Sequence, residues 1–289
     1  MKRIFLSATL LSLFLSAGVH AQLKTPSLSP TAKISQEFSV SNIEITYSRP
    51  SMRGRQIMDD VVPYGRVWRT GANAPTKIKL GEDMEIAGQR LKAGEYSMYT
   101  IPGRDKWEIV FSTATGNWTA EGFPKEFDAA RIKVKPITLS EDVQTFTMMV
   151  TDITFTSCKI EMMWERTKIV LPVVADNKAV VEENIDKAIN NVTVPYFQAA
   201  NYYYETNQKT DLALTYVNKA IEQNPKAFYM WYLKARLEKR AGNNESAMAA
   251  AKKSIELVAG TPNEQEYRHN NEKIINELNK VKRASQPAD

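Results

Sequence analysis

Gly94 to Phe111, GEYSMYTIPGRDKWEIVF, is the stretch whose reading decides the fold. Successive side chains of a strand point to opposite faces, so Tyr96, Met98 and Thr100 fall on one side and Ser97, Tyr99 and Ile101 on the other. Pro102-Gly103-Arg104-Asp105 has the composition of a tight turn: proline presets φ, and glycine and aspartate accept the bend. Trp107, Ile109 and Phe111 then resume the alternation on one face of the next strand. Two alternating runs joined by so short a turn predict an antiparallel hairpin.

The same period of two extends in both directions. Upstream, Ile43, Ile45 and Tyr47 alternate with Asn42, Glu44 and Thr46, Ile78 and Leu80 form another pair, and Met84 to Leu91 reads as a hairpin around Gly88. Downstream come Ile132 and Val134, then Phe146, Met148 and Val150, then Ile160, Met162 and Trp164, and finally Ile169, Leu171 and Val173. About nine short strands without an intervening helical period predict an antiparallel β-sandwich or barrel-like domain over residues 32–173. Short helical turns are expected at Gln56 to Val61 and at Phe127 to Arg131.

At Ala175 the period changes. Asp176 reads as an N-cap, and Val181, Ile185, Ala188 and Val192 recur at helical spacing. Phe197, Asn201, Tyr204, Ala213, Val217 and Ala220 are then matched 34 residues later by Trp231, Ala235, Glu238, Ala247, Ala251 and Ser254. An offset of about 34 residues with small residues at fixed places is the tetratricopeptide period. The small residues let paired helices approach, and Pro225 ends the second helix of the first copy. A last helix with Tyr267, Ile274, Leu278 and Val281 on its apolar face reads as the cap of the stack. Residues 174–289 are therefore expected to form an all-α, tetratricopeptide-like domain, the chain as a whole being α+β and multidomain.

Between two of the strands lies Ser48 to Thr76, SRPSMRGRQIMDDVVPYGRVWRTGANAPT, which keeps neither period. Arg49, Arg53, Arg55, Arg66 and Arg69 meet only Asp59 and Asp60 locally. Guanidinium forks suit carboxylates and phosphates and also brace backbone carbonyls. Arg49, Arg55, Trp68, Arg69 and Asn73 are the candidate ligand-binding residues here, with Arg49, Arg69 and Asn73 expected to converge on one pocket. Trp118, in Thr115-Gly116-Asn117-Trp118-Thr119, is the aromatic candidate for stacking on a sugar-like ligand. Trp107 and Trp164 alternate with apolar residues and are expected in the core. For Trp68, flanked by Arg66 and Arg69, cation-π stacking is the structural alternative to binding.

The first residues predict export. Lys2 and Arg3 precede a nearly unbroken apolar run, Ile4 to Leu15, and Val19-His20-Ala21 offers small residues at a cleavage site. Residues 1–21 thus read as a signal peptide and 22–31 as a flexible leader, giving a protein of the periplasm or medium. The whole chain has a formal net charge of +5, two of those charges, Lys2 and Arg3, being in the signal peptide. Nucleic-acid binding calls for a larger, concentrated basic excess. No later window approaches the run of about 20 apolar residues that a membrane crossing needs. Cys158 is the one cysteine, so no intrachain disulfide forms and the fold rests on its core. It is expected to be buried.

Chemistry is narrowed by histidine. Of the two in the chain, His20 leaves with the signal peptide and His269 sits on the last helix as a solvated residue. A Ser-His-Asp or Cys-His arrangement in the β-domain and a multi-histidine metal site are both ruled out. No cofactor is implied. Asp59-Asp60 and Glu82-Asp83 read as turn residues.

Tyr47-Ser48-Arg49-Pro50, Gly54-Arg55, Val62-Pro63-Tyr64-Gly65, Trp68-Arg69-Thr70-Gly71-Ala72-Asn73, Gly94-x-Tyr96-Ser97-x-Tyr99-Thr100-Ile101-Pro102-Gly103 and Trp107 resemble the DUF 2911 family, uncharacterised β-domains of exported bacterial proteins. The resemblance spans about residues 32–173, and the Trp-Arg-Thr-Gly-Ala-Asn run makes it specific. It implies a domain without an assigned activity, often followed by a helical repeat tail. Two classes of function stay open. One is an exported, non-catalytic binding or scaffold protein, with an anionic or sugar-like ligand on the β-domain and a protein partner on the helical repeats. The other is an envelope hydrolase or transferase using carboxylates and arginines.

Overall fold

In the computed structural model, residues 25–115, 122–189 and 195–284 are described. Ten strands come first: β1 (Thr31–Phe38), β2 (Ser41–Ser48), β3 (Thr76–Leu80), β4 (Met84–Ile86), β5 (Gln89–Leu91), β6 (Gly94–Ile101), β7 (Trp107–Ser112), β8 (Asp128–Val134), β9 (Ile137–Thr151) and β10 (Ser157–Ala175). Six helices follow: α1 (Lys178–Ile189), α2 (Tyr196–Glu205), α3 (Thr210–Gln223), α4 (Phe228–Arg240), α5 (Asn244–Val258) and α6 (Glu264–Ala284).

The strands form two antiparallel sheets, in the orders β1-β2-β3-β6-β7-β8 and β5-β4-β10-β9. The hairpin read from Gly94 to Phe111 is β6 and β7, with Tyr99 opposite Val110. Its turn needs Gly103, since a Cβ there would lie 2.4 Å from the Lys106 carbonyl oxygen. Ile43, Ile45, Ile78, Met98, Trp107, Ile109, Phe146, Ile160, Trp164, Leu171 and Val173 from both sheets share one buried cluster. Alternation therefore located the inner faces correctly. Burial of these side chains, at roughly 1.5–3 kcal/mol each, is the main stabilising term.

Three expectations are corrected. Gln56 to Val61 forms no helix: Met58 and Val62 make an isolated bridge and Asp59 has φ +73°. Helical turn at Phe127 to Arg131 is confined to a 3-10 turn over Lys125–Phe127, after which β8 begins. The runs ending at Trp164 and beginning at Ile169 belong to one strand, β10, whose pairing with β9 shifts register on both sides of Glu165. Glu165 has φ +52°. Such bulges add a residue, so the two halves of the strand look unconnected to a period-two reading.

In the helical part the 34-residue offset is expressed as packing. Ala213, Val217 and Ala220 of α3 are buried, and so are their counterparts Ala247, Ala251 and Ser254 of α5. Glu238, at the place that Tyr204 holds in the first copy, is buried with its carboxylate accepting from Asn243 Nδ2 at 2.8 Å. Val281 is exposed, not on the apolar face of α6. His269 is exposed on α6, and Val192 lies outside the described residues.

Asn177, ahead of α1, takes the place expected of Asp176. Its buried side chain donates to Ser39 Oγ at 2.8 Å and the Phe155 carbonyl at 3.1 Å, and accepts from the Tyr202 hydroxyl at 3.3 Å. It thereby ties the β1-β2 turn, the β9-β10 turn and α2 together.

Candidate functional site

The segment from Arg49 to Pro75 closes the edge of β9. Met52 N donates to the Gln144 carbonyl at 2.8 Å, and Phe146 N to the Pro50 carbonyl at 2.9 Å. Tyr47 Oη accepts from Met148 N at 2.9 Å and donates to the Met148 carbonyl at 3.3 Å. Arg49 donates from Nε to the Phe146 carbonyl at 3.2 Å and from Nη2 to Thr147 Oγ1 at 2.9 Å. An open strand edge is a row of unpaired peptide groups, and these contacts satisfy part of that row from within the chain.

The other arginines divide between bracing and freedom. Arg55 donates to the Met52 and Ser51 carbonyls at 3.0 and 2.9 Å, and Arg53 to the Leu28 carbonyl at 2.7 Å. Arg69 Nη1 donates to the Asn73 carbonyl at 2.7 Å, and Asn73 Nδ2 donates to the Ser29 carbonyl and Ser48 Oγ. Arg69 and Asn73 are therefore brought together, while the Arg49 guanidinium is spent on β9. Beside them a cavity of about 230 Å³ is lined by Val61, Val62, Pro63, Arg66, Val67, Trp68 and Arg69. Arg49, Arg55 and Asn73 are not among its walls.

The backbone under Arg69 is held tightly. Trp68 and Thr100 exchange N–H to carbonyl bonds at 2.8 Å, and Thr76 N donates to the Arg69 carbonyl at 3.1 Å. Thr70, Gly71 and Asn73 have φ of +56°, +145° and +60°. A β-branched residue rarely adopts this conformation, so the burial of Thr70 and its carbonyl's bond from Thr76 Oγ1 must hold it there. A Cβ on Gly71 would lie 2.8 Å from the Ser48 carbonyl oxygen, which explains glycine at that place.

Trp68 points inward. Its ring stacks on Trp164 at 5.8 Å and meets Trp107 and Phe146 edge-on, and its Nε1 donates to the Gly71 carbonyl at 3.0 Å. The aromatic cluster, rather than cation-π contact with Arg66 or Arg69, fixes this ring. Trp107 and Trp164 are buried as expected. Trp118 lies outside the described residues. Cys158 is buried, and burial pushes its thiol up to about 12, far from a nucleophile's range.

Glu165 carries a role that the period-two reading gives no sign of. Its carboxylate accepts from Ile57 N at 2.9 Å and Met58 N at 3.1 Å, so the bulge aims an acid at the peptide groups of the arginine segment. Within the segment Asp59 pairs with Arg104 at 2.5 Å, and elsewhere, ahead of β4, Asp83 pairs with Lys92 at 2.7 Å. The bond from Lys92 lowers the Asp83 carboxyl below its usual range. Pairing with Lys92 thus favours the ionised form of Asp83.

A second concave surface lies on the helices. α2, α4 and α6 pack side by side. Tyr204, Tyr232, Arg236, Lys239, Asn270, Lys273, Ile274 and Glu277 line a groove of about 270 Å³ there. The Arg236 and Arg240 guanidiniums sit 4.0 and 3.8 Å from the Tyr204 ring centroid. Arg236 also pairs with Glu205 at 3.3 Å, and Lys239 with Glu277. Among its walls Arg236, Lys239 and Lys273 outnumber Glu277, so the groove carries a cationic excess.

These features define an antiparallel β unit with an internally braced arginine segment, followed by stacked helix pairs. The chain belongs to the family described as protein of unknown function (DUF2911), whose model matches residues 29–173. Residues 159–259 are similar to the family described as N-terminal acetyltransferase A, auxiliary subunit, a tetratricopeptide-like match. No curated protein matches the chain. The helical similarity is consistent with a scaffold at a general level, with a helical region suited to protein contacts. Among the described residues no helix is long and apolar enough to cross a membrane.

Proposed function

We propose that this protein is an exported, non-catalytic scaffold that holds a segment of a partner protein against the α2-α4-α6 groove. The observation carrying this reading is the pair of guanidiniums stacked over Tyr204, Arg236 on the groove wall and Arg240 next to it with Nη1 on the Tyr204 carbonyl, beside surplus cations. Stacking holds the arginine planes while leaving donors at their edges, an arrangement suited to carboxylates of an acidic, partly aromatic segment. The β unit contributes a smaller anion site. Arg66 is exposed and lines the 230 Å³ cavity, and Arg69 on the same wall donates from Nη1 to the Asn73 carbonyl. A small anion or the acidic group of a sugar is the ligand class that fits. Export rests on the charged start, apolar run and small-residue site of the first 21 residues.

The test is fluorescence anisotropy with labelled Asp- and Glu-rich peptides, some bearing tyrosine. Binding should weaken with salt and fall about tenfold in Arg236→Glu, a loss of about 1.4 kcal/mol. Equal binding by that variant, or by charge-neutral peptides, would remove the groove from the proposal. For the β unit, Arg69→Lys should keep its melting temperature and lose anion binding, because lysine keeps the charge and not the fork.

A further inference from the structure

β1 is an edge strand, paired with β2 alone. Its hairpin closes at Phe38 opposite Ser41 across the turn Ser39-Val40, and the pairing continues through Gln36-Ile43, Ile34-Ile45 and Ala32-Tyr47. In an antiparallel hairpin with a two-residue turn, the closing pair and every second pair from it exchange peptide bonds. Arg49 N donating to the Pro30 carbonyl at 2.9 Å continues that phase. Thr31, Lys33, Ser35 and Glu37 therefore direct their peptide groups away from β2. Among the described residues the Glu37 carbonyl is met there by the Gln36 side-chain amide, at 3.0 Å.

The side chains of these residues complement themselves. Lys33, Ser35 and Glu37 share the exposed face of β1. If a second β1 lies antiparallel with Ser35 opposite Ser35, Lys33 of each copy, which also pairs with Glu44 of its own chain at 2.6 Å, faces Glu37 of the other. The same register sets the outward peptide groups of Lys33, Ser35 and Glu37 opposite one another, as a hydrogen-bonded ladder requires. On the inner face Ala32 and Ile34 are only partly buried against the core, so a neighbouring strand would cover them. At the Glu37 end, a cleft of about 540 Å³ between Glu37, Phe38, Ser39, Thr154, Phe155 and Glu205 leaves space beside the edge.

We propose that β1 is a self-association surface, two copies of this chain joining their six-stranded sheets across a two-fold axis at Ser35. The interface is isologous, each copy supplying the same patch. It would display two α2-α4-α6 grooves from one assembly. An eight-residue edge pairing falls with transient interfaces burying less than about 1,200 Å², so the dimer forms reversibly and at high concentration.

Sedimentation velocity of the full chain over a loading series reads this directly. Lys33→Glu and Glu37→Lys should each weaken association about tenfold, since each puts like charges opposite one another twice. The double variant Lys33→Glu/Glu37→Lys should restore it. Ser35→Pro removes only an outward-pointing donor and should abolish the dimer while circular dichroism stays that of the parent. A monomer throughout the series overturns the proposal. So does an association unaffected by the single reversals, or one strengthened by them, which would make Lys33 and Glu37 guards of the edge. Pull-down of some other protein on β1 without self-association overturns it equally.

Discussion

Glu165 shows how much one residue can hold. It stands at a left-handed φ inside a strand and gives both carboxylate oxygens to neighbouring peptide groups of a loop over 100 residues away in sequence. Replacing it with alanine leaves the Ile57 and Met58 N–H groups without their acceptor, at a cost of about 1–3 kcal/mol. Glu165→Gln, with one acceptor oxygen, should fall between the two. Urea denaturation measures both, and a parent-like midpoint for Glu165→Ala would show that the arginine segment is held by its other contacts. Arg49 illustrates a different limit. Its fork reads as a ligand group in sequence, yet the guanidinium spans a carbonyl and a hydroxyl of β9, a use that becomes visible only once β9 is placed beside it.

Among the elements, α3 and α5 show what a repeat predicts well. Ala213 and Ala247 are fully buried at equivalent places of successive helix pairs. Leucine at either position should overpack the contact at about 1–3 kcal/mol. Thermal melts of Ala213→Leu and Ala247→Leu check this, and unchanged melting temperatures in both would mean that the helices do not meet at these alanines. β10 shows what such a reading misses. Alternation is a local signal, and one bulged residue reverses its phase, so a 19-residue strand reads as two.

For the molecule as a whole, Asn177 is the joint between strand and helix chemistry. We expect residues 31–174 and 175–289 to fold as separate units, giving β-rich and helical circular dichroism respectively. A helical spectrum from the first fragment would refute this. In the intact chain, Asn177→Ala strips partners from Ser39, the Phe155 carbonyl and Tyr202. The two units should then melt less cooperatively, and proteolysis near Asp176 should speed up.

By itself the sequence determined the antiparallel β class, the inner faces of the strands, the helical repeat with its small contact residues, and the burial of Trp107, Trp164 and Cys158. Each of these depends on periodicity or residue size, properties carried by neighbours along the chain. Tertiary structure alone decided the fate of the arginines and of Trp68. A guanidinium donates equally well to a ligand or a carbonyl, and an indole suits a core or a sugar, so local chemistry is the same in either case. The choice was made by which strand edge lay within reach: β9 took Arg49, the Ser51 and Met52 carbonyls took Arg55, and Trp164 took the ring of Trp68.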